Sequence, residues 1–319
     1  MKKRNIIIAM ALAMAMTTVG GATVFAADEK AEGNDYTIAY VPTTMNNPFW
    51  TAMMGGIKEE MEAKGMDVDK QLVTVDANSD QATMNNYVND LIAQQVDAII
   101  LAPMDCTAVT EALTACEEAG IPVINVDTAV DATDKVVSII ASDNYKAGVE
   151  CAEDMMSKLD KGAKIAVMNQ PSGTACVQRE KGFLDTAGDY FEIVSTTDTE
   201  GDTAKTMTAA EDVLTADDDL AGFVCINDMG ALGCVQAAQA AGKEDLLIYG
   251  VDGNPDFMGY VADGSATASA AQQPSVIGQK ALDAAIDTLD GKEVEHDQVV
   301  DVVLINKDNI ADFDVTDWQ

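Results

Sequence analysis

Short apolar, β-rich runs alternate with helical patterns along almost the whole sequence, and few folds accommodate such an alternation. The predicted strands are TIAYV (37–41), LVTVDA (72–77), AIILAP (98–103), PVINVD (122–127), VVSIIAS (136–142), KIAVMNQ (164–170), EIVSTT (192–197), GFVCIN (222–227), LLIYGVD (246–252), ATASAA (266–271) and VVDVVLI (299–305). Their apolar runs are mostly continuous, which is typical of parallel strands buried on both faces.

The stretches between these strands have the period of amphipathic helices. In the clearest of them, WTAMMGGIKEEMEAKG, large apolar residues share one face: Trp50, Met54, Ile57 and Met61. Repeated strand–helix units predict an α/β fold of parallel sheets with helices on both faces. Because there are too many strands for one open sheet, we predict two doubly wound lobes.

Polar residues follow many of the predicted strands, at the end where doubly wound sheets bind their ligands. Asp127 ends PVINVD, Asn227 ends GFVCIN, Asp252 ends LLIYGVD and Gln272 ends ATASAA, and the loop after KIAVMNQ leads to Arg179. Each of these residues alone is more often a helix cap or a turn residue. Together they predict a binding site at the mouths of the two sheets.

This set of side chains suits a neutral polyhydroxyl ligand, because carboxylates and amide oxygens accept from hydroxyls and arginine donates a planar fork. The corner PTTMNNPFW adds an apolar wall to it. There, Asn47 can cap the following helix and also bond a hydroxyl. Phe49 lies about 100° off the apolar stripe, which favours a cleft position, whereas Trp50 lies on the stripe and fits either the cleft or the core.

The sequence offers little support for an enzymatic function. The single histidine, His296, lies in the polar segment GKEVEHDQ, and no metal-binding motif or GxGxxG signature occurs. We therefore predict a non-enzymatic protein without cofactor or metal. One catalytic alternative stays open, in which Asp127 and Asp252 act as a carboxylate pair on a glycosidic bond.

The first residues, MKKRNIIIAMALAMAMTTVGGATVFAADEK, predict a secretory signal peptide over residues 1–26, cleaved after about Ala26. The alternative is a retained N-terminal anchor. Export predicts a periplasmic or extracellular location, and the formal net charge of −35 argues against nucleic-acid partners. The six cysteines lack paired spacing, so we predict mostly buried free thiols, with one disulfide left open.

Several longer segments together resemble one family. They are TTMNNPFW, DANSDQATMNNYVNDLIAQQVDAIILAPMD, GIPVINVD, IIASDNYKAG, GTACVQREKGF, INDMGALG, YGVDGNPD and AAQQPSVIGQKA. The chain resembles the type I periplasmic sugar-binding proteins of ATP-binding-cassette importers, within the ribose-binding branch. The resemblance implies two lobes, 36–141 plus 273–301 and 142–272 plus 302–319, joined by a three-crossing hinge near Ala141–Ser142, Gln272–Gln273 and Asp301–Val302.

The family's ligand-contacting positions map onto ten residues: Thr43, Asn47, Phe49, Trp50, Asp127, Thr128, Arg179, Asn227, Asp252 and Gln272. Two departures matter. Ribose binders have an arginine where Thr128 stands, and an aromatic near Gly201 that is absent here. The resemblance therefore leaves a hexose, another pentose, a cyclic polyol or a furanosyl signal open as the ligand.

The same resemblance implies the protein's partners. It implies delivery of the ligand to the transmembrane subunits of the permease by a monomer, with a chemoreceptor open as a second partner. Repressors that share this fold carry a basic DNA-binding segment where this chain has its signal sequence.

Overall fold

The computed structural model describes residues 35–243 and 245–318, and the predicted signal peptide lies outside these residues. The described chain forms two lobes, each built on a six-stranded sheet. The predicted two-lobe α/β architecture is therefore confirmed.

The first lobe contains a fully parallel sheet. Its strands are β1 (Ile38–Val41), β2 (Leu72–Thr74), β3 (Ala98–Leu101), β4 (Val123–Val126), β5 (Ser138–Ser142) and β11 (Asp297–Val300). Their order is β11-β5-β4-β3-β1-β2. The order reverses direction beside β1, so the chain leaves β1 and β3 toward opposite faces of the sheet. This leaves a crevice at the carboxyl ends of the two strands, where such folds bind ligands.

The sheet of the second lobe has the same plan with one difference. Its strands are β6 (Lys164–Asn169), β7 (Glu192–Asp198), β8 (Gly222–Cys225), β9 (Leu247–Asp252), β10 (Ala268–Ala271) and β12 (Val303–Asn306), in the order β12-β10-β9-β8-β6-β7. The edge strand β12 runs antiparallel to β10, so this sheet is not wholly parallel as predicted.

The helices cover both faces of the sheets. They are α1 (Pro48–Ala63), α2 (Val68–Gln71), α3 (Gln81–Gln94), α4 (Thr110–Ala119), α5 (Asn144–Lys158), α6 (Thr174–Ala187), α7 (Thr203–Ala216), α8 (Asp228–Ala241), α9 (Pro255–Asp263) and α10 (Pro274–Leu289), with short 3-10 turns at Thr133–Lys135 and Ile310–Asp312. Alternate residues of β1 illustrate the arrangement, since Ile38 and Tyr40 pack with α1 and α10, and Ala39 and Val41 with α3 and α4. None of the described helices is both long and apolar enough to span a bilayer.

The run VVDVVLI, predicted as one strand, is two strands in different lobes. Val300 ends β11 beside β5, and Val303 begins β12 beside β10. Asp301 and Val302 connect them. A strand prediction based on apolar residues missed this break because both halves of the run are rich in valine and each half forms a strand.

The chain passes between the lobes at three places within the described residues. It does so between β5 and α5, between β10 and α10, and between β11 and β12. The crossings contact each other, since the Gln273 side chain donates to the Asp301 carbonyl at 3.1 Å and the Asp143 N–H donates to the Val300 carbonyl at 3.0 Å. The three crossings therefore run side by side.

The C-terminal segment returns to the first lobe. After the 3-10 turn, Phe313 and Val315 pack on the core of the second lobe, but Trp318 packs on the core of the first. The Trp318 ring meets the Phe49 ring edge-on, with 5.7 Å between the ring centroids. This contact between distant residues was not predicted.

Two neighbouring glycines of α1 provide a test of the helix packing. A Cβ on Gly56 would lie 2.0 Å from the Ser275 carbonyl oxygen of α10, whereas a Cβ on Gly55 would meet nothing within 4 Å. We expect Gly56→Ala to lower the free energy of unfolding by about 1–3 kcal/mol, because the helices must move apart. Gly55→Ala should raise it by about 0.5–1 kcal/mol, because alanine is the better helix former. Urea denaturation of both variants checks this, and equal effects would contradict the close approach.

Candidate functional site

A cavity of about 400 Å³ lies between the two lobes, at the carboxyl ends of their strands. It is lined by all ten residues predicted for the site: Thr43, Asn47, Phe49, Trp50, Asp127, Thr128, Arg179, Asn227, Asp252 and Gln272. These residues come from six separate segments of the chain, namely the corner after β1, the turn after β4, helix α6, the start of α8, the end of β9 and the residue after β10. The fold therefore brings together what the sequence keeps far apart. We call this space the cleft cavity.

The corner after β1 forms the apolar wall of the cavity. Asn47 caps α1, and its side-chain oxygen accepts from the Phe49 N–H at 3.0 Å, as predicted. The rings of Phe49 and Trp50 are perpendicular, with centroids 5.0 Å apart. The Tyr40 hydroxyl donates to the Trp50 carbonyl at 3.1 Å, which stabilises the corner.

Phe49 differs from the prediction in one respect. It was expected to be a cleft residue away from the core, but only 3% of it is exposed and it belongs to the core of the first lobe. Trp318 covers it on one side. Helical periodicity could not show this, because the covering residue comes from the far end of the chain.

Asp127 lies at the end of β4 in a left-handed backbone conformation, with φ of 62°. Its Oδ2 accepts from the Thr128 hydroxyl at 2.9 Å. The buried Asn125 side chain holds this turn, since it donates to the Thr128 carbonyl and accepts from the Val130 N–H. Burial raises the pKa of Asp127, and the positive charge of Arg179 opposes this shift.

Arg179 is buried on α6 and is held by groups on several elements. Its Nε donates to Asn144 Oδ1 at 2.7 Å, and its Nη1 donates to the Ile226 carbonyl at 2.7 Å. Nη1 also lies 3.4 Å from Asp252 Oδ1. Within the described residues Nη2 has no hydrogen-bond partner in the protein, so one edge of the guanidinium remains for a ligand. A surface position for this arginine is ruled out by its 5% exposure.

Asp252 and Gln272 form a buried pair at the ends of β9 and β10. Gln272 Nε2 donates to Asp252 Oδ1 at 2.7 Å, while Gln272 Oε1 is buried without a partner. Asp252 has φ of 137°, a backbone conformation that costs free energy in a residue with a side chain. Burial raises the pKa of Asp252 to about 6, although Arg179 and Gln272 favour its charged form.

Asp228 stabilises the turn that follows Asp252, and it is not among the residues predicted for the site. It is fully buried, accepts from the Ser269 hydroxyl at 2.8 and 2.9 Å, and accepts from the Asn254 N–H at 2.7 Å. Ser269 Oγ in turn accepts from the Gly253 N–H at 3.0 Å. These bonds hold the strained backbone after Asp252, and the sequence signal was only the dipeptide Asn227-Asp228.

Asn227 is already engaged by the protein. As the cap of α8, its Oδ1 accepts from the Gly230 N–H at 2.8 Å, and its Nδ2 donates to the Gly201 carbonyl at 3.2 Å. Its remaining N–H is what it can offer to a ligand.

Further residues line the cavity beside the ten mapped to it: Thr44, Asn46, Ser79, Pro103, Met104, Gln170, Gly173, Ala175, Cys176, Glu200, Gly201, Asp202, Thr203, Lys205 and Met229. Burial raises the pKa of the Cys176 thiol to about 12, so it presents an S–H group. At the rim, Lys205 pairs with Glu200 at 2.6 Å. Thr44, Asn46, Pro103 and Met104 closely follow predicted strands. Residues such as Glu200 and Lys205 lie further along the chain, where reasoning from strand ends does not reach.

The chemistry of the cavity is that of hydrogen bonding. Among the residues that the structure describes, no group of three or more histidine, cysteine, aspartate or glutamate side chains could hold a metal ion. Buried carboxylates, amides and one guanidinium face an aromatic corner, an arrangement that can bind a small polar molecule with one apolar face.

Comparison with known proteins agrees with this geometry. Residues 38–293 match the family described as periplasmic binding protein domain. The ribose import binding protein of Bacillus subtilis is 36% identical over 262 residues, covering 82% of this chain and 84% of the relative. That of Escherichia coli is 33% identical over 273 residues, covering 85% of this chain and 90% of the relative.

Solved structures of solute-binding proteins share the fold. An ABC transporter solute-binding protein of Agrobacterium vitis with bound D-fucose is 31% identical, has a TM-score of 0.80, and is matched over 86% of this chain and 96% of its own. The chain therefore belongs to the periplasmic binding protein family, in the branch of type I sugar-binding proteins that includes the ribose import binding proteins.

Proposed function

We propose that this protein captures a monosaccharide-like ligand in the cleft cavity outside the cytoplasm and delivers it to the transmembrane subunits of an ABC permease. The observation that carries the proposal is the convergence of buried polar side chains from both lobes on one cavity that also has an aromatic corner. A cyclic polyol or a furanosyl compound fits the same chemistry and is the alternative ligand class.

Each of the ten lining residues predicted from the sequence has a role in this proposal. Asp127, Asp252 and Gln272 accept from ligand hydroxyls, Arg179 donates from its free edge, and Asn47 and Asn227 donate from their amides. Thr43 and Thr128, which are both buried, contribute hydroxyls. Phe49 and Trp50 pack on the apolar face of the ring, since C–H groups of a sugar stack on aromatic rings.

Ligand binding would couple to closure of the lobes. The lobes 36–141 plus 273–301 and 142–272 plus 302–319 would rotate about the three crossings, and the ligand would stabilise the closed form because it contacts both lobes. The permease would then recognise that form. In this proposal the protein is exported, acts as a monomer without enzymatic activity, and can also present its closed form to a chemoreceptor.

A ligand screen tests the proposed function. Thermal denaturation with pentoses, hexoses, inositols and their amino derivatives should give a raised melting temperature for at least one class, because a ligand that binds only the folded protein stabilises it. The ligand recovered afterwards should be chemically unaltered by mass spectrometry. Turnover of a glycoside that is lost in Asp127→Asn would contradict a binding role and support the carboxylate-pair alternative.

The raised pKa of Asp252 predicts a pH dependence of binding. The ionised carboxylate accepts hydrogen bonds from a ligand, so affinity should fall as the pH is lowered through about 6, where this group takes up a proton. The stability of the ligand-free protein changes with pH in the opposite direction. Because the pKa of Asp252 in the folded chain lies above that of an aspartate in the unfolded chain, the folded state binds the proton more tightly and becomes more stable as the pH falls through about 6. Titration calorimetry between about pH 7.5 and 5 checks this, with Asp252→Asn as the control in which the step near pH 6 should vanish.

A further inference from the structure

The buried charges around the cleft cavity do not balance. Two aspartates that line the cavity, Asp127 and Asp252, are 7% and 5% exposed. The fully buried Asp228 is not counted with them, because burial and the neighbouring Asp252 raise its pKa well above the usual value of an aspartate. Arg179 is the one buried cation among the described lining residues. The only other basic lining residue described, Lys205, is half exposed at the rim and already pairs with Glu200.

The hydrogen-bonding groups show the same excess of acceptors. Gln272 lines the cavity and is only 1% exposed, and its Oε1 is buried without a hydrogen-bond partner. Asp127 accepts from the Thr128 hydroxyl through Oδ2, and its Oδ1 has no hydrogen-bond partner among the described residues. Arg179 donates from Nε and Nη1 to groups of the protein itself. A buried acceptor without a donor is costly, so a ligand in the cavity that donates hydrogen bonds to these oxygens is favoured.

A neutral sugar supplies donors but no charge. An ammonium group supplies three donors, no acceptor and one positive charge, which matches both deficits together. A metal ion would match the charge, but the described residues contain no cluster that could hold one. Thr128 is neutral and donates a hydrogen bond to Asp127. An arginine at this position would place a positive charge beside Asp127 and remove the excess of negative charge in the cavity.

We propose that the ligand of this protein is a cationic amino sugar or amino polyol whose ammonium group lies against Asp127, with Gln272 Oε1 accepting a further hydrogen bond from the ligand. This inference rests on the proposed function and deepens it by naming the ligand class. It assigns Thr128 as the residue that determines specificity, since it leaves the Asp127 charge free for the ligand.

Matched pairs of ligands test the inference. The purified protein is titrated by calorimetry at neutral pH with D-glucose and D-glucosamine, D-galactose and D-galactosamine, and myo-inositol and an inosamine. We expect the amine of at least one pair to bind about 10- to 100-fold more tightly than its neutral partner, the range that one charge-assisted hydrogen bond provides. Equal or tighter binding of the neutral members would overturn the amine inference and leave the proposed function standing. Binding of no member of any pair would count against both.

A pair of variants separates charge from bulk. Thr128→Arg places a guanidinium beside Asp127 and should abolish the preference for the amine, with neutral sugars bound as well as or better than their amines. Thr128→Gln adds comparable bulk without charge and should keep the preference. Thermal denaturation of both variants shows that they fold, and an unchanged preference in Thr128→Arg would contradict the assignment of this residue.

Discussion

Replacing Arg179 by alanine should weaken ligand binding by about 2–4 kcal/mol, a factor of tens to several hundred. Two effects add. The free edge of the guanidinium no longer donates to the ligand, and the buried Asp127 and Asp252 lose the positive charge that favours their ionised forms. Calorimetry with whichever ligand the screen identifies measures the change directly.

Two further variants sharpen this prediction. Arg179→Lys should recover only part of the affinity, because an ammonium cannot hold Asn144, the Ile226 carbonyl and a ligand oxygen in one plane. Lys205→Ala removes the other cation of the lining, which lies half exposed at the rim, and should change affinity only slightly. An affinity of Arg179→Ala within about twofold of the parent would place the arginine outside the functional site.

Replacing Phe49 by alanine should lower both ligand affinity and the free energy of unfolding, the latter by about 3–5 kcal/mol. The ring is 3% exposed and contacts Trp50 and Trp318, so its removal leaves a cavity in the core of the first lobe as well as a gap in the wall of the cleft. Urea denaturation and calorimetry measure the two losses.

Phe257→Ala is the matched control for this prediction. Phe257 is fully buried in the core of the second lobe and does not line the cleft cavity, so its truncation should cost similar stability with little loss of affinity in the protein that remains folded. A Phe49→Ala protein that is as stable as the parent and binds less tightly would show that the ring is a cleft residue without a core role.

Much of the fold was predictable because it depends on local pattern. Continuous apolar runs and helical periods identify the strands and helices, and these elements pack in few ways. The cap at Asn47 was predictable for the same reason, since a cap depends on residues within one turn. The ends of the strands then indicated where the site lies, and the ten predicted residues do line one cavity.

The remaining features depend on contacts between residues that are distant in the chain. Phe49 became a core residue because Trp318 packs against it, and VVDVVLI was divided because its two halves join different sheets. Asp228 gained its supporting role from a hydroxyl on a neighbouring strand, Ser269.

Local sequence thus determined the elements, the helix caps and the set of polar residues at the strand ends of this protein, because propensity, periodicity and capping act over a few neighbouring residues. The balance of charge and hydrogen bonds in the cleft was decided by the folded chain alone. Whether a buried carboxylate such as Asp127 or Asp252 has a cation beside it depends on where Arg179 is held, and three groups on other elements hold it there.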